Sequence, residues 1–325
     1  MYNRFEEVSE DIIKNHKSKI NEYRWKLVGK RILLILLAVL VFYIALRIGL
    51  FDLNGILLAI IAIAILLGFV FLWFVIGGDK KTNEYLEYYK TNVIVPLLTI
   101  INDKIEASVF GVFAESDEEA MRIVEMTNDY HRSFDVAKVE SVDVLGIAKC
   151  KYEKFVLNIL DIYTEIGSGQ HSSKVFAGLF TSIKTKRKID GVIAIRAKKF
   201  YNTNHLGRSS QETVKRLFRI QRVNKPKVKT DANDDRVLID SVVTPEIIDA
   251  IADYVAVCKV KIDIAIQYDK LNIRFHFGKV LKPSLYLNPL NRWRMKDTYE
   301  KLTKVFALNR QLFTLLDSQA SQKNL

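Results

Sequence analysis

The pattern of apolar and polar positions is dominated by two long apolar stretches, Ile32 to Phe51 and Ile56 to Gly78, of 20 and 23 residues. Only Asp52-Leu53-Asn54-Gly55 separates them. A helix rises about 1.5 Å per residue, so about 20 apolar residues cover the hydrocarbon core of a bilayer. The second stretch carries no charge and the first carries Arg47 alone, near its end, where a long side chain can snorkel to an interface. The pattern predicts a two-helix transmembrane hairpin. Lys26, Lys30 and Arg31 precede it, Lys80 and Lys81 follow it, and the connecting loop has no base. The positive-inside rule then puts both termini in the cytoplasm and predicts a multi-pass protein of the cell membrane. The charged lead is too long for a cleavable signal and no small-residue cleavage site follows the first apolar run.

The rest of the chain alternates between helical and strand periodicity. Residues 1–31 predict an N-terminal helix with Ile12, Ile13, Ile20, Tyr23 and Leu27 at helical spacing. Thr82 to about Ala107 repeats that spacing, and Pro96 should kink or restart the helix. Ser116 with Glu119 is a capping box that opens a helix over about 117–130. Val142–Ile147, Lys154–Thr164, Val175–Ile183 and Val192–Ile195 predict strands, with Gly167-Ser168-Gly169 as a hairpin loop. One short basic helix is expected around Val214, Leu217, Phe218 and Val223. Val237-Leu238-Ile239 predicts a strand. Thr244 and Pro245 open a helix to about Val257. Val260–Gln267 and Leu271–Phe277 predict a hairpin turning at Tyr268-Asp269-Lys270, and a last helix runs from about Lys296 to Leu316. Strands without regular βαβ alternation predict an α+β domain. The expected fold class is therefore a membrane-anchored α+β protein. Its parts are a helix at 1–31, a hairpin at 32–78, and a cytosolic mixed helix and antiparallel-sheet domain at 79–325. That domain includes a basic, loop-rich segment at 184–229 and a C-terminal module at 236–316.

Three segments resemble a bacterial membrane-protein family known as domain of unknown function 3137. Lys174 to Phe180 (KVFAGLF) resembles its vFkGlF core. Val237 to Ala250 (VLIDSVVTPEIIDA) and Val260 to Ser284 resemble its C-terminal module, hairpin and tail. The resemblance covers about residues 80–316. Ala177 replaces the residue before the central glycine, and Lys282 stands before Pro283 where the family has an acid. The resemblance implies a fold and a membrane topology but no reaction, because the family is uncharacterised.

Charge changes the picture at one place. The net charge is +12, and residues 184–229 hold 15 Lys or Arg against two acids, Asp190 and Glu212, so the remainder of the chain is near neutral. The candidate contacts for a lipid headgroup or other anion are Lys184, Lys186, Arg187, Lys188, Arg196, Lys198 and Lys199. Basic residues held near an anionic leaflet contribute about 1 kcal/mol each. A solvated loop and a nucleic-acid surface are the competing readings, and few aromatics (Phe200, Tyr201, Phe218) accompany the bases for stacking.

No nucleotide-binding glycine loop, zinc-protease motif or nucleophile elbow is present. Asp129, His131 and Asp135 read as a polar turn, Ser168, His171 and Ser172 as a loop tip, and Asp234, Asp235 and Asp240 as a solvated face. Cys150 and Cys258 read as isolated core thiols. No metal and no cofactor is expected. The expected function is a binding or scaffold module with a basic face toward anionic lipid, whose protein partner the sequence leaves open. The alternative is a membrane-tethered enzyme acting on a lipid or phosphorylated ligand.

Overall fold

The computed structural model describes residues 2–52, 68, 79–102, 104–110, 117–134, 141–166, 173–199, 201–203, 206–207, 209–223, 232–283 and 288–322. Helix α1 (Tyr2–Asp52) is followed by α2 (Asp79–Tyr89), a π-helical turn (Lys90–Ile94) and α3 (Val95–Thr99). Strand β1 (Ile105–Phe110) and helix α4 (Asp117–Phe134) come next. Then follow β2 (Ser141–Tyr152), β3 (Phe155–Ile166), β4 (Ser173–Lys184) and β5 (Val192–Ala197). Helix α5 (Ser210–Leu217) leads into β6 (Phe218–Val223), and α6 (Ala232–Val242) into α7 (Pro245–Cys258). The chain closes with β7 (Ile262–Gln267), β8 (Lys270–Phe275) and α8 (Arg292–Gln322).

Among the described residues the eight strands form one antiparallel sheet in the order β1-β2-β3-β4-β8-β7-β5-β6. Alternation along the strands separates two layers. Leu157 and Ile159 of β3, with Leu179 and Ile183 of β4, face a large core shared with α1, α2, α3, α7 and α8. Leu160, Ile162, Phe176 and Phe180 face the other way, onto Met126, Tyr130 and Phe134 of α4. Tyr130 meets Phe180 edge-on at 5.5 Å, a favoured aromatic geometry.

The membrane hairpin is corrected. Among the described residues no helix is long and apolar enough to cross a membrane. Ile32–Phe51 is the distal part of α1, one continuous helix whose proximal half is polar outside and apolar inside. Phe5, Ile12, Ile20 and Leu27 bury against the domain, while Leu33, Leu36, Val39 and Leu40 are exposed. Arg47 does not reach for an interface: its Nε donates to the Tyr43 hydroxyl at 3.2 Å, one turn back. The second predicted span, 56–78, lies outside the described residues except for Gly68. The membrane-anchored fold class, the transmembrane designation and the multi-pass location are therefore withdrawn; the α+β character with an antiparallel sheet stands.

Smaller differences have local causes. Pro96 does restart the helix: it occupies the first turn of α3, where its missing N–H has no partner to lose. Ile105 leaves the helix for β1. Val237–Ile239, expected as a strand, lies in α6, because Val242, Val243, Leu238 and Ile239 meet the core at helical spacing. Phe218 to Val223 leaves the predicted basic helix and pairs with β5. Pro245 opens α7 as expected. Ser116 and the 167–172 loop lie outside the described residues. Cys150 and Cys258 are both free thiols, and burial pushes Cys150 up to about 12.

Candidate functional site

The candidate site is built where the chain leaves β8. Gly278 has φ +77°, a left-handed turn that suits glycine, and its N–H donates to the Ala177 carbonyl at 3.1 Å. The following segment passes over β4 and β3, which extend beyond the end of β8. Val280 and Leu281 bury their side chains, and both N–H groups donate to Asp161 Oδ2, at 2.8 and 2.6 Å. Asp161 sits in mid-β3, fully buried, and its other oxygen has no hydrogen-bond partner among the described residues. Pinning the backbone of Val280 and Leu281 inward leaves Lys279 and Lys282 exposed on either side of them.

Lys90 packs into the same region from the π turn, 1 % exposed. Gly146, at the bulge in β2 opposite Asp161, makes the room: a Cβ there would lie 3.2 Å from Lys90 Cε and 3.0 Å from Leu281 Cβ. Single π turns recur at functional sites. Burial pushes the Asp161 carboxyl up to about 6; the three backbone N–H groups of residues 280–282 and the Lys90 charge hold it from rising further. Burial brings the Lys90 ammonium down to about 8, with Asp161 and Glu87 opposing the fall.

Above this buried pair lies an open cleft of about 580 Å³, bounded by Tyr89, the 279–283 segment and the first turn of α8. Asn291 caps α8, its side-chain oxygen accepting the Trp293 N–H at 3.0 Å. The cap aims Trp293, 68 % exposed, and Arg294 at the cleft. Lys279, Lys282 and Arg294 thus meet with an aromatic face and the positive end of a helix. Among the described residues the one acid lining the cleft, Asp297, is held by Lys301 at 2.7 Å.

The candidates drawn from sequence lie elsewhere and fall into two groups. Lys184 ends β4, and Lys186, Arg187 and Lys188 occupy the link after it; Arg196, Lys198 and Lys199 lie at the far end of β5, about 20 Å of strand away. Several already have partners. Lys184 Nζ is 3.6 Å from Asp269, the Lys186 N–H donates to Asp317 at 3.0 Å, and Lys198 Nζ donates to the Lys215 carbonyl at 2.7 Å. Arg187 is 6 % exposed and ties this link to α6 and α8 through the Ser241 carbonyl (2.5 Å) and Gln319 Oε1. Arg187→Gln is therefore expected to cost about 1–3 kcal/mol in urea unfolding, whereas Lys184→Gln or Lys188→Gln should stay within about 0.5 kcal/mol.

The weaker candidates also find structural roles. Asp129 is buried in α4 and bound by Lys270 Nζ at 2.7 Å; His131 is stacked edge-on against Tyr130. Asp235 pairs with Arg222 at 3.3 Å, and Asp240 is exposed on α6. Asp135, Ser168, His171 and Ser172 lie outside the described residues. Among the described residues no group of three or more His, Cys, Asp or Glu could hold a metal.

Sequence reasoning missed Lys90, Asp161, Lys279, Lys282, Trp293 and Arg294. One signal was present for Asp161: it is a lone acid within the apolar run Ile159-Leu160-Asp161-Ile162. The others come together only through the crossing of the 279–283 segment over β3. Comparison with protein-family models, with curated proteins and with solved structures finds no match.

Proposed function

We propose that this protein is a binding module for a phosphate-bearing ligand held in the cleft between the 279–283 segment and the start of α8. The observation that carries this reading is the convergence of Lys279, Lys282 and Arg294 on one concavity whose only lining acid among the described residues is already paired. Charge-assisted hydrogen bonds from such groups are about twice as strong as neutral ones, and an arginine fork matches phosphate oxygens. Exposed Trp293 offers a flat apolar face to the rest of the ligand. The basic residues of 184–199 support this role less, because they divide between two ends of a strand and several are paired within the domain.

The test is titration calorimetry of the full chain with inorganic phosphate and, separately, with vesicles of anionic or neutral lipid. Lys282→Gln/Arg294→Gln should weaken binding about tenfold or more, since each lost charge-assisted bond is worth about 1.5–3 kcal/mol before solvent screening. Binding of soluble phosphate identifies a free ligand; binding confined to anionic vesicles identifies a lipid headgroup. Unchanged binding by the double variant, or none by the parent, would defeat the reading.

A further inference from the structure

Resting on that cleft, we infer that Asp161 makes anion binding proton-linked: its neutral form favours the bound anion and its ionised form opposes it. The geometry separates two tasks between the two oxygens of one carboxyl group. Oδ2 accepts the Val280 and Leu281 N–H groups and so fixes the segment that carries Lys279 and Lys282. Oδ1 is buried with no hydrogen-bond partner among the described residues, so it can take up a proton while Oδ2 keeps both N–H groups, as weaker neutral bonds. Titration then changes the charge beneath the cleft and leaves its lining in place. A negative charge under an anion site is repulsive, and in a buried setting the repulsion is weakly screened.

The surrounding groups set where the proton comes on. Lys90 faces Asp161 from the π turn, with Glu87 of α2 acting on Lys90 in turn. From the overlying segment the Lys282 charge acts on Lys90 and its backbone N–H on Asp161. On β3 the next same-face residue is Tyr163, whose hydroxyl donates to Glu165 and whose ring lies under Lys279 and Lys174, with Asp143 of β2 nearby. Strand β2 offers Gly146 opposite Asp161, and β4 offers Leu179. Burial outweighs the help from Lys90 and places the carboxyl at about 6, inside the physiological range. Lys90, at about 8, stays mostly charged below about pH 7, so Asp161 is the group that changes through the middle of that interval.

Sulfate is the probe, because its own charge stays constant across the interval. Affinity of the full chain for sulfate should fall about fivefold between about pH 5 and pH 7.5, the order expected for one unit charge acting through partly buried surroundings. Asp161→Asn keeps an oxygen for the two N–H groups and removes the charge; it should bind sulfate at the tighter, low-pH level throughout. The Val280 and Leu281 amide resonances of the parent should titrate with the same midpoint as the affinity, a readout that does not depend on the variant folding. Binding that is present but independent of pH, a slope that survives in Asp161→Asn, or amides that titrate elsewhere would each overturn the linkage and leave the cleft standing. No sulfate binding at about pH 5 would remove the cleft itself.

Discussion

Gly178→Ala is expected to lose about 3–5 kcal/mol of unfolding free energy, a large share of the roughly 5–15 kcal/mol that holds a typical domain. The reason is a crossing of backbones, not a cavity. A Cβ on Gly178 would collide with the Phe275 carbonyl oxygen and lie 3.0 Å from both the Phe275 carbonyl carbon and the Phe277 N–H nitrogen. Those atoms belong to the chain as it leaves β8 and cannot swing aside as a flexible side chain could. Leu179 pairs with Phe275 in register, and the Gly278 N–H is bonded to Ala177, so both sides of Gly178 are pinned. Urea unfolding monitored by circular dichroism measures the loss, with the conservative Ser182→Ala as comparison. Anion binding should fall as well, because the displaced segment continues directly into residues 279–283. A loss below about 1 kcal/mol would mean that the β8 exit yields, and that the cleft does not depend on it.

The same residue shows how much the sequence disclosed. The KVFAGLF run was legible as a strand because Phe176, Gly178 and Phe180 alternate with Val175, Ala177 and Leu179. What it packs against was not legible. Phe176 and Phe180 turn to α4, Leu179 turns to the larger core, and the glycine exists for a strand nearly 100 positions later. Most strands and helices were readable for this reason: period 2 or 3.6 is local. The membrane expectation failed differently. An apolar run measures length and hydropathy, but Ile32–Phe51 is the continuation of a helix already committed to the domain through Phe5, Ile12, Ile20 and Leu27. The site escaped because its residues come from four separate places. Charge density pointed to 184–229, yet density along the chain is not density in space. Lys279, Lys282 and Arg294 are unremarkable in sequence and meet only because Asp161 pulls two backbone N–H groups inward between the lysines.

Under α4 the sheet carries a second buried ionic group, and removing its anion should be nearly as damaging as Gly178→Ala. Asp263 accepts Arg274 Nε and Nη2 at 3.1 and 2.7 Å, His276 Nε2 at 2.9 Å and the Ala197 N–H at 2.8 Å. The Arg274 guanidinium lies 4.0 Å from the Phe134 ring centre, so α4 rests on this cation. Asp263→Asn is expected to cost about 3–5 kcal/mol, the usual result of leaving a buried charge without its partner. Replacing the register pair together, as Asp263→Val/Arg274→Met, should cost less than the single change, because no orphaned charge remains. Burial alone would raise the Asp263 carboxyl, but His276, Arg274 and the Ala197 N–H hold it well below the usual carboxylate range. Its contribution is therefore complete above about pH 4, the unfolded value, and is lost as pH falls further. Burial lowers His276 despite Asp263, so the unfolded chain takes up that proton first and the parent begins to lose stability below about pH 6.5. Unfolding curves at about pH 7, 5 and 3.5 separate the two effects. The gap between parent and Asp263→Asn should hold or widen from pH 7 to 5, because His276 loses the Asp263 charge that opposes its burial, and narrow from pH 5 to 3.5. A gap that stays constant to pH 3.5 would mean that the Asp263 charge does not hold α4 in place.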